Sequence, residues 1–88
     1  MNTQQPRIAI VDANTLAALG LKQLLQSLIP VLEVNTFRSF AELMANSPEC
    51  HVHFFVAMNI VLENRAFFTQ HRRKTIVLTV SADGSKQI

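Results

Sequence analysis

The chain has 88 residues, a formal net charge of +2, 49% hydrophobic residues, 2 Gly and 3 Pro. That is one small domain or part of one, too apolar for a disordered chain and without the patterning of a fibrous one. Its basic residues are too few, and too concentrated in "HRRK" at 71–74, to cover a nucleic-acid-binding face, and no apolar run reaches the roughly 18–20 residues that span a bilayer.

The opening "MNTQQPRIAIVD" lacks the charged start and long apolar core of a signal peptide, and the single Cys50 rules out an internal disulfide, so the expected compartment is the cytoplasm. "RIAIV" at Arg7–Val11 is apolar on both faces, which predicts a central parallel strand covered by helices on each side. From Leu16 the spacing becomes helical. Leu21, Leu24, Leu25 and Leu28 follow i, i+3, i+4, i+7, Lys22, Gln23 and Gln26 take the other face, Asn14 or Thr15 caps the start and Pro30 stops the helix.

"LEVNTF" at 32–37 returns to strand character. "SFAE" at 39–42 fits a capping box, with the Ser39 hydroxyl accepting from the third helical N–H and Glu42 reaching back to the Ser39 N–H; this opens a short helix to about residue 46, before Pro48. "HVHFFVAM" at 51–58 predicts a third strand, "ENRAFFTQHRR" a third helix with Ala66, Phe67 and Gln70 around one face and a basic end that complements its dipole, and "TIVLTV" a fourth buried strand. Strands are therefore expected at about 7–11, 32–37, 52–58 and 75–80, followed by "SADGSKQI", where Asp83 or Ser85 resembles a helix cap. The order βαβαβαβ implies a doubly wound α/β sheet, whose sites lie at the carboxyl ends of strands near the reversal of strand order. Those ends carry Asp12, Met58 and Thr79.

With these elements in place, "IAIVDANTLAALGLKQLLQSLIPVLEV" at 8–34 and "TIVLTVSAD" at 75–83 make the chain resemble the receiver domain of bacterial response regulators, in the branch with a LuxR-type (NarL/FixJ) helix-turn-helix output. The resemblance runs from Arg7 to Asp83 and rests on order and spacing rather than on one motif. It implies a CheY-like, flavodoxin-like three-layer sandwich with a parallel sheet, residues 1–88 forming an N-terminal receiver-like domain that lacks the last strand and helices. It also implies a chemistry, phosphoryl transfer to an aspartate assisted by Mg²⁺, that needs an acid pair after the first strand, an aspartate at the end of the third and a hydroxyl after the fourth.

Residue by residue, the resemblance matches Asp12 to the first acid and Thr79 to the hydroxyl, but sets Ala13 at the second acid and Met58 at the nucleophile, or Ala57 if the register slips by one. Val80 follows Thr79 where the family has a small residue, Glu63 lies too far along to substitute, and the position of the family's lysine falls beyond Ile88. The expectation is a degenerate phosphorylation pocket of Asp12, Ala13, Met58 and Thr79, with no catalysis, no metal and no cofactor. Asp12 then reads as a helix cap or a partner for backbone N–H groups, and Met58 as core filler that makes the pocket apolar.

The remaining candidates read as structural. His51 and His53 share one strand face by period two but have no third ligand at suitable spacing, Cys50 reads as a buried or half-buried thiol, "HRRK" as a solvated helix end, and Phe54, Phe55, Phe67 and Phe68 as core. The functional expectation is a non-catalytic regulatory and dimerisation domain of a LuxR-type DNA-binding response regulator, working without phosphorylation, with the output domain outside this chain and no nucleic-acid or membrane binding of its own. The alternative is a phosphoacceptor receiver with an unconventional site, against which stands the lack of any Asp or Glu between Val52 and Leu62. A missing fifth strand would leave the fourth as an unpaired edge, so a homo-oligomer is expected.

Overall fold

A computed structural model of the protein describes residues 6–79. Its strands β1 (Arg7–Val11), β2 (Glu33–Phe37), β3 (His53–Ala57) and β4 (Thr75–Leu78) form one all-parallel sheet in the order β2-β1-β3-β4. The strands fall where the apolar runs predict them. Residues 32, 52 and 58 lie outside the strands, β4 stops at Leu78, and Val80, Asp83 and Ser85 lie outside the described residues.

Helix α1 (Thr15–Leu28) connects β1 to β2, and α2 (Phe40–Met44) connects β2 to β3. Two short helices, α3 (Met58–Glu63) and α4 (Arg65–Gln70), then lead into β4. Because right-handed crossovers are the rule, the first connection and the later two, which step across the sheet in opposite directions, must lie on opposite faces. The core divides accordingly. On one face Ile8, Ile10, Val34 and Leu32 pack with Ala18 of α1; on the other face Ala9, Val11, Phe37, Phe54 and Val56 pack with Leu43, Ile60 and Phe68 from the later helices.

Asn14 caps α1, its Oδ1 accepting from the Ala17 N–H at 3.1 Å. At α2 the Ser39 hydroxyl accepts from the Glu42 N–H at 3.2 Å, as the capping box predicts, but the Glu42 carboxylate accepts from the Arg38 N–H at 2.7 Å instead of reaching Ser39. The third helical segment differs more from expectation. It begins at Met58, directly after β3, and breaks at Asn64, whose side-chain amide donates to the Ile60 carbonyl at 2.9 Å and competes with helix continuation. Phe67 and Phe68 turn inward on α4, whereas Ala66 and Gln70 are exposed, and the basic end forms a separate 3-10 turn (Arg72–Lys74) with Lys74 Nζ over the Phe54 ring at 5.1 Å.

Candidate functional site

The strand order reverses between β1 and β3, so the carboxyl ends of these strands border a crevice. A cleft of about 380 Å³ opens there, lined by Asp12, Asn14, Met58, Asn59, Leu78 and Thr79 among others. Three residues singled out in the sequence, Asp12, Met58 and Thr79, thus meet on one cleft although they come from three strand ends. Ala13 is exposed and does not line it.

Asp12 is half-buried. Its N–H donates to the Phe37 carbonyl at 2.9 Å, extending the β1–β2 ladder, and its Oδ1 accepts from the Asn14 N–H at 2.9 Å. This is an Asx turn, followed at once by the Asn14 cap, so both polar side chains of the β1–α1 turn serve the backbone. Met58, the first residue of α3, is 45% exposed, and Ala57 ahead of it provides no side-chain cap. Where β3 ends, the cleft therefore meets a thioether, a weak acceptor with no capacity to take a phosphoryl group.

The chemistry of the donor set decides what the cleft can hold. Mg²⁺ demands near-octahedral oxygen coordination and is bound through carboxylates and substrate phosphates. Asp12 is the only carboxylate among the described lining residues, and Ala13 and Met58 add no oxygen, so the lining does not fit the metal that the receiver resemblance implies. Among the described residues, no group of three or more His, Cys, Asp or Glu could hold a metal ion, and no helix is long and apolar enough to cross a membrane.

Two other sequence readings change. His51 and His53 do not share a face: His53 is exposed, while His51, 3% exposed, precedes β3 and packs edge-on to Phe37. The Pro48 carbonyl, 3.4 Å from Nδ1, can only accept, so Nδ1 carries the proton and Nε2 accepts from the Asn35 amide at 3.3 Å. Cys50 is exposed rather than buried.

Sequence reasoning missed Asn59 in the first cleft, although it directly follows Met58. It also missed a polar groove along the outer edge of β2, about 390 Å³ in volume, bordered by Arg7, Lys22, Asn35, Asn46 and His51. No local signal marks that groove, because its walls come from elements distant in the chain. No protein-family model, curated protein or solved structure matches this sequence.

Proposed function

We propose that this chain is a non-catalytic, receiver-like regulatory module of a bacterial LuxR-type response regulator, working in the cytoplasm by association rather than by phosphoryl transfer. The observation that carries this reading is the cleft at the β1 and β3 ends. It joins Asp12 and Thr79, as a receiver pocket does, but Met58 stands where the acceptor carboxylate belongs and the Asp12 carboxylate is engaged by the Asn14 N–H. The sheet order β2-β1-β3-β4, with α1 on one face and the other helices opposite, fits the corresponding part of a CheY-like, flavodoxin-like sandwich.

The β4 edge offers the means of association. Pro6 and Asp12 bond β2, and by alternation so does Ile10; Phe55, beside Ile10, therefore bonds Ala9 and Val11 of β1, and Phe54 and Val56 turn their backbone groups to β4. Val56 stands beside Val77 and therefore bonds Ile76 and Leu78, which in the described sheet leaves the N–H and C=O groups of Thr75 and Val77 pointing outward. A second copy related by a two-fold axis at Val77 lets the two Val77 residues exchange both of their outward hydrogen bonds and sets Ile76 opposite Leu78 of the second copy, matching apolar side chains across the seam.

The test is beryllofluoride with Mg²⁺, followed by NMR. The expected result is no change at Asp12, Met58 or Thr79; shifts concentrated there would establish the phosphoacceptor reading instead. Light scattering at high micromolar concentration should give a dimer or larger species, and a clean monomer sinks the β4 pairing.

A further inference from the structure

The opposite edge of the sheet carries a different kind of surface. The Glu33 N–H donates to the Pro6 carbonyl and the Phe37 carbonyl accepts from the Asp12 N–H, each at 2.9 Å, so Glu33, Asn35 and Phe37 direct their backbone groups at β1. The alternate residues Val34 and Thr36 direct theirs, N–H and C=O alike, away from the sheet. Those outward groups face the groove of about 390 Å³, with Lys22 of α1 on one side and Asn46 and His51 on the other.

The charges around this groove do not cancel. Arg7 Nε lies 3.3 Å from Glu33 Oε1, and this is the only ion pair among the described residues, so Lys22 has no acidic partner there. On the other side the Asn35 amide donates to His51 Nε2 at 3.3 Å, and His51 Nδ1 faces the Pro48 carbonyl, so that wall is polar and, among the described residues, carries no formal acidic or basic side chain opposite Lys22 other than this imidazole. A strand laid along β2 would alternate its side chains between the two walls, one set meeting Lys22 and the other meeting Asn46 and His51.

We infer that the β2 edge receives an extended acidic segment of another protein as an added strand, main-chain hydrogen bonds to Val34 and Thr36 supplying the register and Lys22 selecting a carboxylate on the α1 side. This proposal stands independently of the receiver reading, because it uses neither the Asp12 cleft nor the β4 edge. A lysine beside an edge strand also has a simpler role, discouraging non-specific pairing. The two roles differ in what they predict for an acidic strand, which the guard repels no more than any other and the docking site prefers.

The experiment titrates the isotopically labelled full chain with a capped hexapeptide alternating glutamate and valine, with its lysine–valine counterpart, and with the acidic peptide carrying a central proline. The expected result is amide shifts and slowed hydrogen exchange at Val34 and Thr36 with the acidic peptide alone, weakened about tenfold by Lys22→Glu, which in turn admits the lysine peptide. Lys22→Ala, which keeps the fold without reversing the charge, should give an intermediate affinity. Equal response to acidic and basic peptides, equal response to the proline peptide, or no response at β2 at millimolar peptide overturns the proposal. Protection at Val34 and Thr36 that rises with protein concentration without peptide assigns the groove to a second copy and overturns it as well.

Discussion

The two edges of this sheet present the same backbone chemistry in opposite surroundings. Along β2 the outward N–H and C=O groups of Val34 and Thr36 lie in a groove bordered by Lys22, Asn46 and His51. Along β4 the neighbouring side chains are Ile76 and Val77, 43% and 41% exposed, with no charged residue inside the strand. Hydrogen bonds to an edge are nearly balanced by those lost to water, so the side chains decide which partner is favoured. An apolar edge gains from any apolar strand, its own copy included; a polar, cationic edge gains only from a partner that supplies charge and hydrogen-bonding groups in register.

This contrast depends on an intact sheet out to β4, and Phe54 secures it. The ring is 1% exposed in the core beneath α4 and also carries the Lys74 ammonium on its face. Phe54→Ala should lower the free energy of unfolding by about 3–5 kcal/mol, a large part of the total for so small a domain, as measured by urea denaturation. A loss below about 1 kcal/mol would mean that the β3–β4 half packs differently.

Val77→Lys breaks the contrast directly. In the proposed pairing Val77 faces its own copy across the two-fold axis, so the substitution sets two ammonium groups opposite each other, near Arg65 and Arg72. Sedimentation equilibrium should show at least a tenfold weaker dimer, about 1.4 kcal/mol, while peptide binding at β2 stays unchanged. Unchanged association would move the self-contact away from β4.

Ser39→Ala tests the other edge through its wall. The Ser39 hydroxyl holds the first turn of α2 by its bond to the Glu42 N–H, and α2 leads to Asn46, whose amide donates to the Glu42 carbonyl at 2.7 Å. Loss of the cap should reduce stability by about 1 kcal/mol and weaken acidic-peptide binding at β2, with the β4 dimer unaffected. Thermal denaturation and the same NMR titration read both effects.

The strands, the α1 amphipathic pattern and the Ser39 cap were legible in the sequence because each is a local signal: an apolar run, a helical spacing, a hydroxyl three residues before a glutamate. The start of α3 was not. "HFFVAMNIVL" at 53–62 is one apolar stretch, and periodicity cannot tell where a buried strand gives way to a buried helix inside it. The strand-end cleft was legible in Asp12, Met58 and Thr79, since topology alone brings the carboxyl ends of neighbouring strands together. The β2 groove was not, because Asn35 and His51 meet across 16 positions of chain and nothing near either residue announces the other.

Gly20 sharpens the contrast with the smallest change. It lies inside α1 on the exposed side, and a Cβ built there meets nothing within 4 Å. Gly20→Ala therefore restricts the unfolded chain and favours the helix without touching the sheet, and should raise stability by about 0.5–1 kcal/mol. Because α1 carries Lys22 two residues on, the variant also asks whether helix order at that wall limits peptide capture. If Lys22 acts from a helix already formed, the affinity of the acidic peptide stays the same while the melting temperature rises; a parallel rise in affinity would show instead that the wall is ordered by the strand it receives.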